Sequence, residues 1–344
     1  MNLPVDQAAE RAAALAGFLA RCGWADAARA PLAGDASFRR YVRLRRGGET
    51  AMLMDAPPPH EDVRPYRAIA HLLSALGYSA PGILGEDAEA GFLLIEDFGD
   101  RTYTRALGEG VSEARLYEGA VDLLIDLHRR EIADRLDTVP PYDDRLLGVE
   151  LGLFVDWWAR RQLEPDHRFA AEYRAHWDDL LALVRRVPET LVLRDYHVDN
   201  LMMLDRPGVR AVGLLDFQDA VRGPTAYDLV SLLNDARRDV APTLARRMID
   251  RYAAAFPELD RDAFEAACAV LSAQRNLKII GIFTRLWARD GKPGYLAHIP
   301  RVWRLLERDL SHPALADFRA WLDDRVPPAA RRAPQPAPQP ATSS

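Results

Sequence analysis

Helical periodicity fills most of the second half of this 344-residue chain, and one island breaks it. Residues 191–204 (LVLRDYHVDNLMML) and 209–220 (VRAVGLLDFQDA) are short apolar runs with polar tips, split by Arg206, Pro207 and Gly208. Short apolar runs bounded by turn formers read as buried strands. Their ends carry the information. The first run stops at Asp195, the next starts after Asn200, and a third, from Val212 to Leu215, ends on Asp216. Asp and Asn favour turns on their own account, so a D-x-x-x-x-N match by itself is weak. Three strand ends that present a carboxylate, an amide and a second carboxylate form a narrower pattern.

That set of groups suits phosphoryl transfer. The reaction needs a carboxylate to orient the attacking hydroxyl and accept its proton, and oxygen ligands to hold a cation against the phosphates. Mg²⁺ is hard and takes carboxylate, amide and water oxygens. Asp195 fits the first task, and Asn200 with Asp216 the second.

Upstream, the pattern changes from helix to sheet. Residues 5–22 are amphipathic at helical spacing. Three segments follow, ARAPLAG, FRRYVRL and TAMLMDA, separated by Gly34-Asp35 and Gly47-Gly48, and they predict an antiparallel meander. Helical spacing resumes over 62–76, and 91–95 reads as a buried strand entering the turn Glu96-Asp97-Phe98-Gly99-Asp100. Helices are expected over 112–130, 145–162 and 166–186, and again between 224 and 324. The fold class is α+β and bilobal. Residues 1–96 form an N-terminal helix and a small antiparallel-sheet lobe, and 97–326 a larger, mostly helical lobe. Residues 327–344, rich in Pro and Ala, are expected to be a disordered tail.

Composition removes other classes. A net charge of −6 offers no general positive field for nucleic acid. Cys22 and Cys268 stand far apart in no metal-binding spacing, which fits a reducing cytoplasm. Acidic residues interrupt the N-terminal stretch before an apolar signal core forms, and no apolar run approaches the ~20 residues of a membrane span. A cytoplasmic protein with no membrane and no nucleic-acid partner is expected.

Leu193-Arg194-Asp195, Asn200 and Asp216 resemble the catalytic and metal loops of the aminoglycoside phosphotransferase and choline kinase superfamily, relatives of the protein kinases. Leu94-Ile95-Glu96-Asp97-Phe98-Gly99 is similar to that family's hinge, and Gly223-Pro224-Thr225-Ala226-Tyr227-Asp228-Leu229 to its helix start after the metal loop. The resemblance implies a protein-kinase-like fold, ATP and Mg²⁺ as cofactors, Asp195 as the base, and Asn200 and Asp216 as metal ligands. It places Glu96 and Phe98 beside the adenine, and Gly34 and Ser37 in the phosphate-covering loop. That loop has one Gly, so a plain hairpin remains the alternative reading. His197 and Asp199 lie inside the catalytic loop, facing either substrate or solvent. Asp228 is expected to brace that loop, and His128 to be a packed core histidine.

One departure stands out. Protein kinases and many of these relatives place a Lys on the third strand to hold the α- and β-phosphates, whereas this strand reads Ala51-Met52-Leu53-Met54-Asp55, with Met54 nearest the position. Arg39 or Arg43 is the candidate replacement. Three further strings, 34–41, 54–58 and 274–283, resemble the anomeric amino-sugar kinases of bacterial cell-wall recycling. That finer resemblance implies N-acetylmuramate and N-acetylglucosamine as small-molecule substrates, phosphorylated on the C1 hydroxyl, with Arg275, Asn276 and Lys278 as candidate sugar contacts. Two other readings stay open on the residues: a kinase for an aminoglycoside, choline or homoserine, and a kinase-like binding protein.

Overall fold

The computed structural model describes residues 5–32 and 38–335, and the chain divides into two units: Met1–Leu123 with Val198–Ala220, and Leu124–His197 with Val221–Ser344.

In the first unit, helix α1 (Val5–Arg21) precedes β1 (Ala28–Pro31), β2 (Arg40–Arg46) and β3 (Glu49–Asp55). These strands form the expected meander. With β4 (Ile83–Asp87) and β5 (Phe92–Glu96) they make a five-stranded antiparallel sheet of order β1-β2-β3-β5-β4. Register assigns the two faces, because side chains alternate along a strand. Leu44 lies opposite Ala51 and Leu53 opposite Leu94, so these residues share a face. There they pack with Phe92 against Phe18, Leu19 and Trp24 in and after α1. Burying a side chain such as Phe18 or Phe92 contributes about 1.5–3 kcal/mol. The other face presents Tyr41, Arg43, Met52 and Ile95. Gly91, at φ +72°, turns so tightly that a Cβ there would sit 2.1 Å from the Ala56 carbonyl oxygen.

Helix α2 (Arg64–Ala75) sets Tyr66 against Phe217 with ring centroids 4.8 Å apart. Helix α3 (Tyr103–Gly108) is capped by Thr102, whose hydroxyl accepts from the Arg105 N–H. Helix α4 (Glu113–His128) carries the chain from this unit to the next. Strands β6 (Glu189–Val192), β7 (Leu201–Met203), β8 (Val212–Leu214) and β9 (Val221–Pro224) come from the island and its flank. They form two separate ribbons, β7 with β8 in the first unit and β6 with β9 in the second.

The second unit is helical around a layer of aromatic rings. Helix α5 (Asp144–Leu153), capped by Asp143, runs into a π-helical turn (Phe154–Ala159) and α6 (Arg160–Gln162), where one continuous helix was expected. Helix α7 (Phe169–Val184) is followed after the ribbon by α8 (Ala226–Leu233), α9 (Pro242–Ala254), α10 (Arg261–Asp290), α11 (Ile299–Asp309) and α12 (Ala316–Arg325). Phe154, Trp158, Tyr173, Trp177, Trp303 and Phe318 interlock in the core. Helix α10 reaches α5 at Gly281, where a Cβ would lie 2.4 Å from the Leu153 carbonyl. Only glycine permits that approach, and the π-turn starts one residue later. The Pro/Ala-rich stretch begins in contact with this unit: the Trp158 indole donates to the Arg332 carbonyl (3.0 Å), and Arg331 pairs with Asp323 and Glu307. Among the described residues, no helix is long and apolar enough to cross a membrane.

Candidate active site

Each unit holds part of the residue set expected to carry the chemistry. In the first, a cavity of about 500 Å³ opens on the sheet face opposite α1. Its apolar lining comes from Met52, Pro81, Ile95, Met202 and Leu215, a surface suited to a flat heterocycle. Its polar lining includes Arg39, Asn200 and Asp216.

Asn200 and Asp216 are brought together by the β7–β8 ribbon. The Leu215 N–H donates to the Asn200 carbonyl (3.0 Å), and the Asn200 amide lies 3.4 Å from Asp216 Oδ2. Asp216 is held at φ +57°, a left-handed conformation that costs a non-glycine residue about 1–3 kcal/mol and is typical of functional loops. Gln218 fixes its carboxylate, donating to Asp216 Oδ1 (2.9 Å) and Asp219 Oδ2 (3.3 Å). The Gln218 Oε1 atom is buried and accepts no hydrogen bond among the described residues. A carboxylate 47% exposed, a neighbouring amide and a buried oxygen lacking a donor fit a hydrated hard cation such as Mg²⁺.

The other residues expected at the nucleotide are distributed unevenly. Glu96 and Phe98 line the cavity, and Arg206 fastens both, pairing with the Glu96 carboxylate and lying 5.1 Å over the Phe98 ring. Arg43 also reaches the cavity but is committed within the protein. It pairs with Asp97 (2.7 Å) and Asp100 (2.7 Å) and donates to the Gly99 carbonyl (3.0 Å), stapling the hinge turn. On β3 the residue that reaches the cavity is Met52; Met54 is buried at 1% exposure. Asp199 accepts from the Thr104 hydroxyl of α3. Gly34 and Ser37 lie outside the described residues.

The second unit builds the catalytic loop. Asp228, in the first turn of α8, accepts from the N–H groups of Leu193 (2.6 Å) and Arg194 (2.9 Å), the bracing expected of it. Burial pushes the Asp228 carboxyl up to about 7, the two N–H donors pulling the other way. Arg194 sits at φ +69° and is held from three sides. Its guanidinium pairs with Glu150, and its carbonyl accepts from Arg275 (3.2 Å) and Ser231 (3.3 Å).

Helix α10 shows two faces here. Residues four apart lie on one side of a helix, and consecutive residues diverge by about 100°. Gln274 and Lys278 both reach Glu150, at 2.9 and 2.7 Å, and Tyr142 adds a third donor at 2.5 Å. Burial would raise the Glu150 carboxyl, but Lys278 and Arg194 outweigh it and hold it at about 2. Ser272 and Asn276 face the other way, donating to Asp309 of α11 at 2.6 and 2.8 Å. The structure therefore brings Arg275 to the catalytic loop and draws Asn276 away from it.

These cations act on Asp195. Burial would raise its carboxyl, but Lys278, Arg275, His197 and Arg194 hold it below the usual carboxylate range. His197 is buried at 7% exposure, and burial together with the Arg237 charge lowers its own pKa. Asp195 is thus an anion throughout the physiological range, a weak base but a firm acceptor for a hydroxyl.

The family model described as the phosphotransferase enzyme family matches residues 29–265. The chain belongs to that family. It is 41% identical to an N-acetylmuramate/N-acetylglucosamine kinase of Caulobacter vibrioides, over 94% of this chain and 99% of that protein. A protein of the same name from Pseudomonas aeruginosa is 39% identical over 86% of this chain and 89% of its own length. Among solved structures, an ethanolamine kinase of Plasmodium vivax matches with a TM-score of 0.60 at 11% identity, covering 85% of this chain and 84% of that one, a likeness of fold.

Sequence reasoning missed several residues of this phosphotransferase that support the site: Glu150, Tyr142, Gln218 and Arg206. Glu150 stands 44 residues from Arg194 and 128 from Lys278, so no local pattern marks it. Gln218 was within reach, because it lies two residues beyond a proposed metal ligand. His128 is the packed histidine expected, bonded through Nδ1 to the Tyr252 hydroxyl (2.7 Å), with burial lowering its pKa to about 3.

Proposed function

We propose that this phosphotransferase moves the γ-phosphoryl group of ATP to the C1 hydroxyl of N-acetylmuramate or N-acetylglucosamine, in the cytoplasmic recycling of peptidoglycan sugars. The observation that carries the substrate is the identity of 41% across nearly the whole length of a kinase named for both sugars. Asp195 accepts the C1 hydroxyl proton as that oxygen bonds to the γ-phosphorus. The bond from phosphorus to the bridging oxygen breaks, and ADP leaves with its electron pair. Asn200 and Asp216 would hold Mg²⁺, which neutralises charge on the phosphates.

The electrostatics of the base support this acceptor. A carboxylate surrounded by cations is a poor base for an ordinary alcohol. An anomeric hydroxyl is more acidic, and in a loose transition state its proton moves late. Arg275 and Lys278 are then groups that set the base. Asp199, bonded to Thr104, and Asn276, bonded to Asp309, are assigned no part in sugar contact.

An ATP-consumption assay with N-acetylmuramate, N-acetylglucosamine, gentamicin, choline and homoserine tests the reading. Turnover is expected with at least one of the two amino sugars and not with the other three acceptors. Preferred turnover of choline or an aminoglycoside would overturn the substrate, and nucleotide binding with no turnover of any acceptor would leave only a binding protein.

A further inference from the structure

We infer that Arg39 is the residue that grips the triphosphate in place of the missing strand lysine, and that Glu61 positions it. The inference rests on the ATP-dependent reading above. The triphosphate brings several negative charges to a cavity whose lining is already acidic at Asp97, Asp100, Asp216 and Asp219. β3 supplies no cation, since the residue it turns to the cavity is Met52. Among the described residues of the lining two are cationic, Arg39 and Arg43. Arg43 is neutralised by Asp97 and Asp100, with its side chain 9% exposed. Arg39, 14% exposed, also meets two carboxylates, but less closely. Its Nε donates to Glu61 Oε2 (3.1 Å), and its Nη1 lies 3.7 Å from Asp216 Oδ1, beside the carboxylate assigned to the metal.

Geometry gives Arg39 an aimed guanidinium. It stands immediately before β2. Glu61 lies three residues before α2 and holds two groups at once, since its Oε1 accepts from the Phe38 N–H (3.1 Å). One carboxylate thus fixes both the backbone and the side chain at the strand entrance. The Nη end, beside Asp216, is a planar fork that matches phosphate oxygens better than an ammonium does. The lysine's task has moved from the third strand to the entrance of the second.

The test uses the full chain and separates phosphate contact from simple loss of structure. Mg·ATP and adenosine affinities are measured by calorimetry for the wild type, Arg39→Met, Arg39→Lys and Glu61→Gln. The expected result is Mg·ATP binding weakened about ten- to a hundredfold in Arg39→Met, the scale of one charged hydrogen-bonded contact. Adenosine, which lacks phosphates, should bind as in the wild type, and Arg39→Lys should recover part of the loss. Glu61→Gln should raise the KM for ATP, leave that for the sugar unchanged, and have no effect in the Arg39→Met background. Equal Mg·ATP affinity in wild type and Arg39→Met would overturn the assignment, as would parallel losses of adenosine and Mg·ATP. A wild type that binds no Mg·ATP would instead overturn the kinase reading on which it rests.

Discussion

The two units handle charge in opposite ways. In the first, Asp97 is sealed at 4% against Arg43, but Asp216 at 47% and Asp100 at 55% side-chain exposure are partly open, and one amide, Gln218, bridges Asp216 and Asp219. In the second, Glu150 is sealed at 4% and is met by Lys278, Arg194, Tyr142 and Gln274. On the proposed function, the first leaves negative charge for a cation and a nucleotide to complete. The second completes its own charges and uses them to fix one carboxylate, Asp195. Residues of the first kind should therefore show themselves in ligand affinity, and residues of the second in stability, pH response and kcat.

That contrast breaks if the two metal-loop and catalytic-loop aspartates behave alike. Asp195→Asn should lower kcat about a thousandfold, within the range of a lost general base, and leave Mg·ATP affinity within about threefold. Asp216→Asn should instead weaken Mg·ATP binding, read by calorimetry at several Mg²⁺ concentrations.

Glu150→Gln probes the sealed network. Removing one partner of a buried ion pair costs about 3–5 kcal/mol, measurable as a shift of the denaturation midpoint. The pH response has a definite sign. With the carboxyl at about 2 in the fold and an ordinary value when unfolded, its contribution is full above about pH 4.5 and is lost as pH falls through about 2. The variant should flatten the acid limb of the stability curve.

Gly281→Ala tests the close approach of α10 to Leu153. The added methyl meets backbone at 2.4 Å, and overpacking of this kind costs about 1–3 kcal/mol. A neutral or stabilising result would mean the helices part easily there.

A last effect separates the two faces of α10. Burial pushes the Asp309 carboxyl up to about 7, so its contribution is full below about pH 3.8 and is lost as pH rises through 7. Asp309→Asn should remove up to about 1.4 kcal/mol per pH unit from that decline. Turnover should change little, because Asp309 meets Ser272 and Asn276 on the side of α10 away from Arg275. Asp228, raised in the same way, keeps its own share of the slope.

What could be read in the sequence was local. The meander, the strand ends at Asp195 and Asp216, and the bracing by Asp228 all follow from short-range pattern or from family motifs carried on one stretch of chain. The partners of Glu150 and Asp309 were not legible, because each joins residues far apart in sequence. The divergence of Arg275 and Asn276 was legible in principle, since neighbours on a helix cannot face one target. The choice between Arg39 and Arg43 needed the structure, which alone shows Arg43 held closely by Asp97 and Asp100 and Arg39 standing beside Asp216.

The most direct test of the assigned reaction is the position of the transferred phosphate. Phosphorus NMR on N-acetylmuramate and N-acetylglucosamine, each labelled with ¹³C at C1 and incubated with Mg·ATP, reads it from coupling between phosphorus and the anomeric carbon. The expected result is a C1-coupled phosphate ester with at least one sugar, lost with Asp195→Asn. An ester at another carbon, or one formed equally well by Asp195→Asn, would contradict it.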